Sequence, residues 1–239
     1  MRKFFQTAFV LAASLVVAST GLALEKTAAP MDADRADGWN AGTSVSVAYY
    51  NICTGWVWVW SGWSPNDVIG VSYEACGENG VLNSNWWFFG TGSPAGYGFT
   101  GTVNINAADA NRCPTGAPLA SQSFLPVSGW NVISWGGGVN VGSNDFTVTV
   151  EFGAGAANPA AAWTDHPAAG PTGPQACGTC YPNPRDNRTF YYGTAASPLC
   201  PGSALNDGIC DAQFIQDAQL TCTVSVEAST WGSVKNMYR

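Results

Sequence analysis

Residues Phe146 to Phe152 read FTVTVEF, with an apolar side chain at every second position. In an extended chain neighbouring side chains point to opposite faces, so Phe146, Val148, Val150 and Phe152 share one surface and Thr147, Thr149 and Glu151 the other. A helix would scatter the same residues around its axis. The pattern fits a half-buried antiparallel strand, its apolar face in a core and its threonines in water.

The same period recurs along the chain. TSVSVAYY groups Val45, Val47 and Tyr49; DVIGVSYEAC groups Ile69, Val71 and Tyr73; GTVNIN groups Val103 and Ile105; GWNVISW groups Trp130, Val132 and Ser134; LTCTVSVE groups Cys222, Val224 and Val226. VLNSNWWFFG is bulky enough for a buried strand, and TFYYG is a shorter candidate. Turn chemistry at SGWSPND, GTGSPAGYG, CPTGAP and GGGVNVGSND separates these runs, with no helical period of useful length between them. The expected fold is all-β: an antiparallel β-sandwich, jelly-roll-like or Ig-like.

The organisation expected around that sandwich has four parts. Residues 1–23 open with Met-Arg-Lys, continue through an apolar run from Phe4 to Ala18 and end in Gly21-Leu22-Ala23, the pattern of a cleaved export signal. The apolar run is shorter than the roughly 20 residues a spanning helix needs, so no membrane span is expected after cleavage. Residues 24–38 read as a flexible lead-in. Residues 39–228 read as a single domain, since all-β domains run to about 200–250 residues, with a long irregular Pro/Cys-rich excursion over 153–219. Residues 229–239 form a tail, with Trp231, Val234 and Tyr238 on one face if it is helical.

A formal net charge of −7, with 9 basic residues scattered along 239, argues against nucleic acid and anionic membranes, which need clustered Lys and Arg. Eight cysteines, Cys53, Cys76, Cys113, Cys177, Cys180, Cys200, Cys210 and Cys222, are an even number in a chain read as exported, so disulfides are the expectation. Cys200 with Cys210 is the most local pairing. CGTC at Cys177–Cys180 is followed by YPNPRDN, whose prolines deny it the helix that a thioredoxin-type thiol needs. A zinc site from Cys177, Cys180, Cys200 and Cys210 fails on the spacing of its second pair. The acidic stretches DADRADG from Asp32 and NDGICD with Asp207 and Asp211 depart from an EF-hand loop and read as solvated turns. No metal and no cofactor is expected.

Catalytic groups are few. His166, the only histidine, would serve alone as base in any triad, and no serine lies in a G-x-S-x-G setting. Glu74 and Glu151, at strand ends, are the one carboxylate pair to test for a β-sandwich glycoside hydrolase. A non-enzyme is the expectation.

The stretch CTGWVWVWSGW sets Trp56, Trp58 and Trp60 on one face and Val57 and Val59 on the other. Three bare indoles at about 150–250 Å² each would match the largest apolar patch a monomer usually exposes. Such a row is either covered or binds something, and sugar rings stack their C–H faces on indoles. The packing alternative turns Val57 and Val59 to the second sheet and lays the tryptophans under the excursion. Trp63, Trp86 and Trp87 lie nearer turns and are the better candidates for exposed contacts.

The ending WGSVKNMYR, together with ACGTCYPNPR and YYGTAASPLCPG, resembles a group of uncharacterised exported bacterial proteins that share a C-terminal W-G-x-x-K-x-x-Y-R tail. The resemblance implies secretion and bacterial origin, and it brings no activity or ligand. The sequence thus points to a secreted or cell-surface interaction or structural module, the periplasm included, with glycans or other surface proteins as partners.

Overall fold

The computed structural model describes residues 25–30, 44–52, 54–61, 63–74, 79–90, 100–153, 161–166, 188–192 and 212–222. These contain strands and no helix: β1 (Glu25–Pro30), β2 (Ser44–Ala48), β3 (Trp56–Ser61), β4 (Val68–Tyr73), β5 (Gly80–Gly90), β6 (Gly101–Ala108), β7 (Pro114–Phe124), β8 (Gly129–Gly142), β9 (Phe146–Phe152), β10 (Ala161–Asp165), β11 (Thr189–Tyr192) and β12 (Gln216–Thr221). All pairings are antiparallel. The second sheet runs β11-β4-β9-β6-β7. In the first, β5 carries β8 on one edge, while its other edge is shared by β12 along Val81–Trp87 and β10 at Phe89–Gly90. Beyond β12 lies β2, and beyond β10 lie β3 and then β1.

The two sheets pack face to face, as the alternation requires. Ile69, Val71, Tyr73, Val103, Ile105, Phe146, Val148, Val150 and Phe152 of the second sheet meet Trp58, Trp60, Leu82, Trp87, Phe89, Ile133 and Trp135 of the first in one core. The β5–β8 ladder shifts register between Leu82 and Ser84. Glycine is required opposite that shift: Gly138 sits at φ +76°, and a Cβ there would lie 2.3 Å from Cγ1 of Val81.

Four expectations need correction. Glu25–Pro30, read as flexible lead-in, pairs along the whole of β3 from Ser61 to Trp56; backbone pairing at an open edge does not depend on an alternating side-chain pattern. Pro114–Phe124 was expected to start in a turn, yet it is an eleven-residue edge strand. Ala161–Asp165 lies inside the stretch read as irregular, and it bridges β3 and β5. Thr147 and Thr149 do not face water; both are buried. Over Thr149 the cause is visible: the Phe190 ring of β11 and the Thr149 methyl close over Gly70, where a Cβ would meet ring atoms at 2.3 and 2.5 Å. The export signal, the tail, Asp32, Asp207, Asp211 and all cysteines except Cys113 and Cys222 lie outside the described residues.

Candidate functional site

The tryptophan row of β3 looks into the sandwich. Trp58 and Trp60 are 6% and 7% exposed and join the inter-sheet core, while Trp56, at the start of the strand, is half-buried. Trp60 donates its indole N–H to Thr164 Oγ1 at 2.9 Å. The facing is the reverse of the packing alternative: Val57 and Val59 point away from the second sheet, into a smaller cluster with Phe88, Trp163 and Ile215. Trp63 and Trp87 are buried as well, despite their nearness to turns. Trp63 folds back to donate to the Trp60 carbonyl at 2.8 Å and stacks on Phe152 at 5.3 Å. Trp86 is half-buried and faces outward, because it is one residue out of phase with Trp87.

Trp86 is the corner of an aromatic shelf on the outward face of the first sheet. Across the β5–β8 ladder it faces Val132, which is 49% exposed, and Phe88 faces Trp130. The Trp86 and Trp130 rings meet edge to face with centroids 6.3 Å apart, and Phe88 meets Trp130 at 5.2 Å. Tyr50, from the chain that leaves β2, adds its ring 6.4 Å from Trp130. On the other side of Trp86 the ladder partner is Asp217, fully buried, whose Oδ2 accepts the Tyr50 hydroxyl at 3.1 Å. Tyr50, Trp86 and Trp130 are all half-buried. The result is a partly open apolar ledge with a buried carboxylate hydrogen-bonded to its tyrosine. Such a ledge can stack against a flat apolar face, and its tyrosine is oriented rather than free to swing.

Next to the shelf a buried polar seam ties the sheets together. Asp165, at the end of β10, accepts the backbone N–H of Asn51 at 2.8 Å on Oδ2 and that of Gln213 at 2.9 Å on Oδ1. Gln213 Oε1 accepts from the Thr189 hydroxyl at 2.7 Å and from the Arg188 backbone N–H at 3.2 Å. The Arg188 guanidinium pairs with Glu74 and lies 5.1 Å from the centre of the Tyr49 ring. Burial first, and then the charge of Asp217, pushes the Tyr73 hydroxyl well above its ordinary 10.0; it donates to Gln216, reaching that residue's carbonyl at 3.2 Å.

That shift fixes a pH dependence. An unfolded tyrosine loses its proton near 10 while folded Tyr73 keeps it, so its contribution is complete below that pH and declines as the pH rises beyond it. Tyr73→Phe should therefore flatten the alkaline fall in stability by about 1.4 kcal/mol per pH unit, while costing about 0.5–1.5 kcal/mol at neutral pH for the lost hydrogen bond. Urea unfolding of both proteins from neutral to strongly alkaline pH checks this. Equal alkaline slopes would contradict it.

Glu74 and Glu151, the one carboxylate pair to test for a glycoside hydrolase, are not brought together. Glu151 pairs across the ladder with Val68, whereas Glu74 follows Tyr73 at the far end of β4. Six residues at about 3.3 Å each separate them by roughly 20 Å, against the about 5–9.5 Å of a glycosidase pair. Glu74 is also engaged by Arg188. His166 is fully buried, its ring 4.1 Å from that of Trp58. Among the described residues no group of three or more His, Cys, Asp or Glu is placed to hold a metal ion, and no helix is long and apolar enough to cross a membrane.

Sequence reasoning missed Tyr50 and Asp217, and placed Trp130 on a strand without singling it out as a site residue. The available signal for Asp217 was a lone carboxylate inside the otherwise uncharged run from Ala212 to Val224. No family model matches the chain, and no curated protein matches it. Among solved structures, the crystal structure of the cysteine protease and lectin-like domains of Cwp84, a surface layer associated protein of Clostridium difficile, is similar with a TM-score of 0.52 at 10% identity. The match covers 77% of this chain and 37% of that one, so the chain spans little more than a third of its structural neighbour. At that identity the likeness is one of fold: two antiparallel sheets packed as a β-sandwich.

Proposed function

We propose that this chain is an exported, disulfide-braced β-sandwich that works by binding at or outside the cell surface and not by catalysis. The observation that carries the reading is the half-open shelf of Tyr50, Trp86 and Trp130 on the outward face of a sheet whose other large aromatics are mostly buried. The fold neighbour contains a lectin-like domain and belongs to a surface-layer-associated protein, which supports a surface role. The even count of eight cysteines supports disulfides and an oxidising compartment. The separation of Glu74 from Glu151 supports a non-enzyme.

A second reading narrows the ligand to carbohydrate. It is favoured by the juxtaposition of indole faces with a tyrosine held by Asp217, because ligand sites combine apolar walls with a few fixed polar groups. A glycan array probed with the purified protein, followed by titration of the best oligosaccharide, tests it. Binding should weaken at least tenfold in Trp130→Ala and Trp86→Ala with the fold intact. An array silent for the wild type removes the carbohydrate reading. Release of reducing ends from any bound glycan overturns the non-catalytic one.

A further inference from the structure

Strand β7 ends the second sheet: it pairs with β6 from Gly101 to Ala108 and has no second neighbour among the described residues. Thr115–Leu119 and Ser121–Ser123 are exposed, so no described element lies over most of its length. Natural edge strands of this length are blunted, most often by charged side chains, because their free N–H and C=O groups template pairing with another chain. Here the chain from Cys113 to Asn144 contains no Asp, Glu, Lys, Arg or His at all. Among the described residues, four of the five exposed large hydrophobic residues also fall in that stretch: Leu119, Leu125, Val127 and Val132, 47% to 67% exposed. The prolines at 114 and 118 protect only the first half of β7, leaving Leu119–Phe124, in regular register with β6 at Ala120–Phe124, as a free edge.

We propose that the Leu119–Phe124 edge of β7 pairs antiparallel with the same edge of a second copy of this chain, joining two five-stranded sheets into one. Charge selects the occupant. A chain of net −7 repels its own copies over most of its surface, and this uncharged limb is where two copies approach without that cost. An edge meeting itself about a two-fold axis is self-complementary, so no second surface is needed. The pairing is independent of what the aromatic shelf binds.

Sedimentation equilibrium of the full chain over a wide concentration range tests the pairing. The wild type should show a reversible monomer–dimer equilibrium, and backbone amides of Leu119–Phe124 should gain hydrogen-exchange protection with concentration. Ser121→Lys with Ser123→Lys sets like charges near one another across the axis and should weaken the dimer on the order of tenfold or more. Ser64→Lys with Asn79→Lys, exposed positions outside the uncharged stretch, adds the same charge and should leave the dimer as it was. Unchanged melting temperatures establish that all variants fold. A monomer at every concentration overturns the proposal, as does a dimer indifferent to the β7 lysines or weakened equally by both pairs.

Discussion

Trp87→Ala is expected to lower the unfolding free energy by about 3–5 kcal/mol, the range for truncating a large aromatic in a packed core. Trp87 is 1% exposed and lies between Phe89 and Phe214, with ring centroids at 6.2 and 6.0 Å. These neighbours belong to β5 itself and to the residues leading into β12, so the cavity would open where the first sheet packs on the second. At about 2–4 °C per kcal/mol for a domain of this size, the melting temperature should drop by roughly 6–20 °C. Trp86→Ala, one residue earlier, should cost much less, because Trp86 faces outward and is half-buried. Urea unfolding of the two variants side by side decides the matter. Equal losses would mean that β5 does not divide core from surface between residues 86 and 87.

That division could not be read from WWFF, where two adjacent bulky pairs satisfy either phase. The tryptophan row of β3 has the same ambiguity. Its alternation with valine was plain, but both faces of β3 are apolar and both are covered, so periodicity could not say which one meets the second sheet. Where one face is polar, as at Val103 and Ile105 of β6, the inward residues were legible. The strands that escaped notice lack the alternating pattern. β1 and β10 pair along β3 through their backbones, and β7 is an exposed edge whose prolines and glycine read as turn. Of the shelf, Trp86 and Trp130 were visible as strand residues, whereas Tyr50 and Asp217 join it only through pairing between segments 167 residues apart. A contact at that separation leaves no mark in local sequence.

Asp165→Ala is expected to be the most damaging change in the polar seam. The carboxylate is fully buried and accepts two backbone N–H groups, from Asn51 and Gln213, one on each oxygen. Alanine strands both donors in the interior, at about 1–3 kcal/mol each, for a loss of roughly 2–6 kcal/mol. The damage should spread, because Asn51 leads out of β2 into the segment carrying Tyr50, and Gln213 anchors Thr189 of β11 through Oε1. Asp165→Asn separates geometry from charge. Its amide keeps one acceptor oxygen but turns an N–H₂ group toward the second backbone donor, so it should recover only part of the loss. Glu74→Gln, which weakens the pairing of an exposed carboxylate with Arg188, should cost at most about 1 kcal/mol. Urea midpoints should therefore fall in the order wild type, Glu74→Gln, Asp165→Asn, Asp165→Ala. If Asp165→Ala unfolds within 1 kcal/mol of the wild type, the seam does not brace the sheets, and the shelf above it loses the support that fixes Tyr50.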